Sequence, residues 1–259
     1  MKLLLLGGTA DARRMADQLH QAGISVVYSI AGLVRVPKVD CQLLVGGFSQ
    51  FGGLAKYLQE QPIDAILDIT HPYAAAMSTT AVAAAKSLAI PCWRLHRPAW
   101  QVQSDDCWFE YQDDEQLLGY LSQYHRPLLS AGQMSQALLT QIAALDKIET
   151  VLWRTAVPPK FELPKGVTWQ KAIGPFAYED EQSLLEAHQI DVIVSKNSGG
   201  EATYAKLDVA RAKNIHCLLH KRPHLPTADR QFSDAQACYL ACVEAWGDTS
   251  RTNTSTGEQ

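Results

Sequence analysis

Two hydrophobic patterns alternate along this chain, and their alternation predicts short strands separated by helices. Leu3 to Leu6 and Val192 to Val194 are unbroken apolar runs, as expected of strands covered on both faces. Ala12, Met15, Ala16 and Leu19 instead recur at helical spacing. The same reading predicts strand 3–6, helix 10–22, strand 24–30, strand 42–45, helix 50–60, strand 63–68, helix 73–88 and strand 91–94 in the first part of the chain. Gly23 ends the first helix, and Pro62 and Pro91 precede two of the strands. Residues 96–107, with Pro98 and Asp105-Asp106, break the rhythm. It then resumes as strand 108–111, helix 113–123, strand 127–130, helix 134–145, strands 149–152 and 167–171, helix 179–188, strand 191–195, helix 201–213, strand 215–219 and helix 233–246. Short strands alternating with helices require parallel crossovers. The expected fold class is therefore α/β: two Rossmann-like doubly wound parallel-sheet domains, residues 1–95 and 96–247, with a cleft between them. Residues 248–259 have nothing apolar to bury and are expected to be a disordered tail.

Composition narrows the function classes. In 259 residues, 23 Lys and Arg face 27 Asp and Glu, so no basic surface points to nucleic acid. An anionic ligand has to be met by a local basic pocket. No apolar stretch approaches the roughly 20 residues that cross a bilayer, so the expectation is a cytoplasmic protein with no membrane partner. The six cysteines fit neither a zinc knuckle nor a disulfide framework, and no metal site is expected. Cys238 and Cys242 lie one helical turn apart beside Tyr239, Val243 and Trp246, which favours core packing.

Candidate chemistry collects where strands meet turns. Ser195-Lys196-Asn197-Ser198-Gly199-Gly200 follows an apolar strand and precedes a helical stripe, placing a cation, hydroxyls and backbone amides where an anion would sit. Gly7-Gly8-Thr9 repeats this arrangement after the first strand. In both places the glycines equally allow a helix to pack closely on a sheet. Asp68-Ile69-Thr70-His71-Pro72-Tyr73 closes another strand, with Pro72 suited to a first helical position, Thr70 or His71 to a cap, and His71 and Tyr73 to proton donation. Arg94 and Arg97 end the last strand of the first half, and Lys221-Arg222 ends the corresponding strand of the second. Each pair suits carboxylates or a plain surface salt bridge. Gly174-Pro175-Phe176 presents an aromatic ring from a rigid turn. The first turn is not Gly-x-Gly-x-x-Gly, and no acidic residue follows the second strand at Ser29-Ile30-Ala31-Gly32 to hold a ribose diol. Arg35, just beyond, suits a 2′-phosphate.

Taken in order, Gly7-Gly8-Thr9 with Arg13, Gly46-Gly47-Phe48, Asp68-Ile69-Thr70-His71-Pro72-Tyr73-Ala74, Arg97-Pro98-x-Trp100, Gly174-Pro175-Phe176 and Ser195 to Gly200 with Lys206 resemble the precorrin-6A reductase family of cobalamin biosynthesis. No one of these stretches is specific, but the six in this order are. The resemblance implies a nicotinamide-dependent oxidoreductase acting on a CH–CH group, with a tetrapyrrole substrate. It implies NADPH as cofactor, with NADH possible. Under it Gly7, Gly8, Thr9, Arg35, Lys196, Asn197, Ser198 and Gly199 are cofactor-binding candidates. Thr70, Arg94, Arg97, Phe176, Lys206, Lys221 and Arg222 are candidates for the substrate, Trp100 for contact with its macrocycle, and His71 and Tyr73 for catalysis. Which glycine-rich turn takes which anion stays open, as does the presence of cobalt in the substrate. The competing readings are a reductase or epimerase of another anionic small molecule and a non-catalytic nucleotide sensor.

Overall fold

The computed structural model describes residues 1–32 and 37–247, so the candidate Arg35 and the tail 248–259 lie outside it. In chain order the elements begin with β1 (Lys2–Leu6), α1 (Ala10–Gln21), β2 (Ser25–Ile30), β3 (Gln42–Val45), a short 3-10 helix (Phe48–Phe51), α2 (Leu54–Glu60), β4 (Ala65–Asp68), α3 (Ala75–Leu88) and β5 (Cys92–Leu95). Next come β6 (Trp108–Tyr111), α4 (Asp114–Leu121), β7 (Pro127–Ser130), α5 (Gln136–Ala143), β8 (Val151–Thr155), β9 (Val167–Lys171), α6 (Tyr178–Ala187) and β10 (Val192–Lys196). A second 3-10 helix (Glu201–Thr203), α7 (Ala205–Ala212), β11 (His216–His220), β12 (Arg230–Phe232) and α8 (Ala235–Trp246) complete the chain.

These elements build two six-stranded parallel sheets, ordered β12-β5-β4-β1-β2-β3 and β6-β11-β10-β7-β8-β9. Both are Rossmann-like. Read from β3, the first sheet has the order 3-2-1-4-5-6 of the doubly wound fold, with β12 as its sixth strand. Read from β9, the second has the same order, and its sixth strand, β6, comes first in sequence. Strands β1 and β10 show why the sheets are covered on both faces. Leu3 and Leu5 enter one core and Leu4 and Leu6 another, while Val192 and Val194 lie opposite Ile193.

The division of the chain departs from the expected 1–95 and 96–247 at its C-terminal end. One unit comprises residues 1–98 and the chain from Pro223 onward, the other Ala99–Arg222. The returning segment lays Arg230 to Phe232 beside Trp93 to Leu95 of β5. It then buries Cys238, Ala241, Cys242 and Trp246 in the core that contains Ala12, Met15, Ala16 and Leu19 of α1. The Trp93 and Trp246 rings lie 4.2 Å apart. Both cysteines are buried, as their helical spacing suggested. Strand β12 escapes a reading by periodicity because three residues at a sheet edge carry no pattern.

Candidate functional site

Open parallel sheets bind ligands beyond the carboxyl ends of their strands, where the strand order reverses. In the first unit that point lies between β1 and β4. Gly7 donates its backbone N–H to Ser29 O at 2.8 Å. A Cβ at Gly7 would lie 2.1 Å from the buried Tyr28 ring, so no larger residue fits. Gly8 adopts a φ of +106°, and among the described residues no atom beyond its chain neighbours lies within 4 Å of where its Cβ would project, so ligand atoms can approach its backbone. Thr9 caps α1, accepting from Ala12 N at 3.1 Å, and donates to Ile69 O at 3.1 Å. Its hydroxyl thereby joins the turn after β1 to the turn after β4.

Beyond β4 the chain makes a turn before the helix. Helix α3 starts at Ala75 and has no side-chain cap, so Pro72 does not take the first helical position and neither Thr70 nor His71 caps it. Thr70 is committed elsewhere: its N–H and hydroxyl both donate to Asp68 Oδ1, at 3.1 and 2.7 Å. His71 Nδ1 accepts from Tyr73 N at 3.3 Å, so the neutral ring carries its proton on Nε2. A depression over this turn is lined by Thr9, Asp11, Thr70, Pro72, Leu95 and Arg97. Arg97 Nη1 donates to Asp11 Oδ2 at 2.9 Å, placing a guanidinium at its edge.

Arg94 does not take the role expected of it. Only 2% exposed, it donates from Nε to Asp68 Oδ2 at 3.0 Å and from Nη1 to Pro226 O at 2.7 Å. The parallel register sets Arg94 beside Asp68 on the same face. Its charge therefore meets a buried carboxylate. Ser78 donates to that carboxylate as well, at 2.6 Å, tying α3 to the two strand ends.

In the second unit the strand order reverses between β7 and β10. Gly132, in the turn after β7 with a φ of +91°, accepts from Trp153 Nε1 at 3.0 Å. A Cβ at Gly132 would lie 3.4 Å from Lys196 Nζ, so the lysine reaches across to this turn. Burial pushes the Lys196 amine below its ordinary pKa. Such a charge is most stable beside an anion. Ser198 donates its N–H to Lys196 O at 2.9 Å, and Gly199 has a φ of +71°. A 3-10 turn follows, so α7 starts at Ala205, four residues later than the periodicity predicted. Gly132 was missed in the sequence, although Ser130-Ala131-Gly132 follows an apolar strand much as Gly7 does.

The remaining candidates divide between this turn and the core. Asn197 Oδ1 accepts from Trp100 N at 2.8 Å and its Nδ2 donates to Trp100 O at 3.2 Å, so the side chain is engaged with backbone. Arg222 Nε donates to Asn197 O at 2.8 Å, whereas Lys221 is exposed. Lys206 is 3% exposed and donates to Thr203 O at 2.8 Å, which removes it from any surface that a substrate could touch. Trp100, expected at the macrocycle, is buried in the core with Leu207 and Val209. Phe176 is half-buried, with the guanidinium of Arg154 4.5 Å from its ring centre, and that guanidinium forms a bidentate pair with buried Glu181.

Two Rossmann-like α/β units, one with an open glycine turn and the other with a desolvated lysine where the strand order reverses, define a protein of the dinucleotide-binding type. The family model described as precorrin-6x reductase CbiJ/CobK matches residues 2–243, and the chain belongs to this family. It is 39% identical to the precorrin-6A reductase of Rhodococcus erythropolis over 253 residues, covering 96% of this chain and 98% of the relative. A solved structure of CobK precorrin-6A reductase superimposes with a TM-score of 0.83 at 30% identity, covering 97% of this chain and 99% of that one. The cobalt-precorrin-6A reductase of Priestia megaterium is 24% identical, covering 86% of this chain and 91% of the relative.

Proposed function

We propose that this chain reduces a double bond of metal-free precorrin-6A, with NADPH as the preferred donor. The observation that carries this reading is the family match over residues 2–243, within which Lys196 closes the central strand β10 beside the Gly132 turn, where its charge can meet a carboxylate arm. Precorrins offer acetate and propionate arms. The higher identity to the relative named for the metal-free substrate, 39% against 24%, supports that form over the cobalt one.

A reductase of this family implies a nicotinamide cofactor, and the residues of the first unit fit one. Gly8 leaves space against the backbone, and Gly7 and Thr9 hold that turn beside the end of β4. Gly7, Gly8 and Thr9 would face the pyrophosphate. The sequence has no carboxylate at Ala31-Gly32 after β2, which suits a 2′-phosphate rather than a free ribose diol, and Arg35 is its partner in this reading. When bound, the cofactor supplies the hydride. The chain's own task is to hold the carboxylate arms and deliver a proton to the neighbouring ring carbon. Lys196, Ser198 and Gly199 hold an arm in the second unit, with Arg222 and Lys221 beside their turn and end of β11. Thr70, Arg97 and Phe176 remain further candidates for the substrate. His71 donates the proton from Nε2, and the Tyr73 hydroxyl is the second candidate.

Single-turnover reduction separates these roles. His71→Phe is expected to slow the reaction by about 10²-fold or more, within the range of general-acid catalysis, and Tyr73→Phe by less. Unchanged rates in both variants would remove the turn from the chemistry. Lys196→Met is expected to raise KM for precorrin-6A by roughly 10- to 100-fold, the worth of a charge-assisted hydrogen bond. A wild-type KM in this variant would place the carboxylates elsewhere. Anaerobic assays offering the metal-free and cobalt substrates, each with NADPH and NADH, test the two preferences.

A further inference from the structure

We propose that Asn197 is a positioning residue that holds the Lys196–Gly200 turn by clamping it to both ends of the chain segment forming the second unit. Both ends of its amide are spent on one residue, with Oδ1 accepting from Trp100 N and Nδ2 donating to Trp100 O. A primary amide that pairs with both polar atoms of one peptide residue is fixed in orientation, because a flip sets donor against donor and acceptor against acceptor. Its backbone carbonyl meanwhile accepts from Arg222 Nε at 2.8 Å. The unit runs from Ala99 to Arg222. Trp100 and Arg222 are thus the second and last residues of that segment, and both are fastened to the residue next to Lys196.

Further contacts close a ring around the turn. Trp100 is held in the core with its ring 5.6 Å from Tyr204 and 5.4 Å from Lys206 Nζ. Lys206 donates to Thr203 O, and the Thr203 hydroxyl lies 3.4 Å from that of Ser198. Lys196 therefore stands on a backbone braced on one side by Asn197 and Trp100 and on the other by Ser198, Thr203 and Lys206. A catalytic or binding side chain is only as well placed as the backbone that carries it.

The consequence for substrate rests on the proposal that Lys196 holds a carboxylate, while the clamp itself does not. Two measurements keep them apart. Hydrogen exchange on the intact protein should show the Trp100 amide and the amides of residues 196–200 becoming labile together in Asn197→Ala, with no ligand present. Asn197→Asp should loosen the same amides, because one carboxylate oxygen still accepts from Trp100 N while the other is set acceptor against acceptor on Trp100 O. If the Trp100 amide loosens while residues 196–200 keep wild-type protection in both variants, the clamp is overturned. Should Asn197→Ala fail to fold, the Asp variant decides by the same comparison. Steady-state assays then read the consequence: KM for precorrin-6A is expected to rise about tenfold in Asn197→Ala, the equivalent of losing one hydrogen bond, with kcat and the KM for NADPH little changed. A merely structural role would instead reduce the active fraction, lowering kcat and leaving KM alone. If Lys196→Met leaves KM for precorrin-6A unchanged, it is the assignment of Lys196 that fails, and the exchange result still decides the clamp.

Discussion

Replacing Arg94 with alanine is expected to destabilise the first unit by about 3–5 kcal/mol, the usual consequence of stranding one member of a buried ion pair. Asp68 and Arg94 are 1% and 2% exposed. Asp68 Oδ2 would lose its cation while retaining the Ser78 hydroxyl, and Oδ1 would retain only Thr70. Pro226 O would lose its donor too, loosening the segment that returns to supply β12 and α8. Among the described residues Arg94 Nη2 is itself buried without a hydrogen-bond partner, so the guanidinium is already incompletely satisfied. Removing both charges should therefore restore much of the loss, and Asp68→Asn with Arg94→Met is expected to be markedly more stable than Arg94→Ala alone. Urea unfolding of the intact protein measures the total, and hydrogen exchange in β4, β5 and β12 assigns it to this unit. A loss below about 1 kcal/mol in Arg94→Ala would mean that water reaches Asp68 and that the pair is worth no more than a surface one.

Lys206 is expected to have the opposite sign. Burial first, and the positive charge of Arg154 second, lower its amine to about 8 from 10.5, against the pull of Glu181. Between those two pH values the unfolded chain holds the proton more tightly than the folded one. Stability attributable to this residue must therefore rise with pH from about 8 towards 10.5, and that displacement corresponds to roughly 3 kcal/mol. Below pH 8 the folded protein carries the desolvated charge in full. Lys206→Met, which keeps the length and apolar stem, should be more stable than wild type at pH 7, with the advantage shrinking as pH rises to 10. The gain is less than the full 3 kcal/mol because the contacts of Nζ with Thr203 O and the Trp100 ring are lost. Paired urea titrations at pH 7 and 9.5 check this, and an advantage of equal size at both pH values would exclude a desolvated amine as its cause.

The strands that end at the candidate turns were legible in the sequence. Leu3 to Leu6 running into Gly7, and Val192 to Val194 running into Ser195 and Lys196, read as buried strands ending in turns, and both strands are central in their sheets. What the pattern could not resolve was the direction of a charge. Arg94, Arg97 and Lys206 look alike in sequence, each a cation near a strand end or a helix start. In the fold Arg94 is beside Asp68 by strand register, Arg97 reaches Asp11 at the edge of a depression, and Lys206 is buried under Trp100. The helix starts were misplaced for a similar reason. The hydroxyl of Thr70, a good cap by composition, is spent on Asp68, and the chain after Gly200 makes a 3-10 turn before α7 begins.

By itself the sequence determined the α/β class, the parallel alternation and the positions of the two glycine-bearing turns at strand ends, because these follow from local periodicity and from glycines at strand ends. The tertiary structure decided that Arg230 to Trp246 belongs with β5 and α1, that Gly132 faces Lys196, and that Asn197 clasps Trp100 and Arg222 from the far end of the segment. Each of these is a pairing between residues distant in sequence. Such pairings are selected by which faces remain to be buried once the sheets have formed, and that is a property of the assembled core.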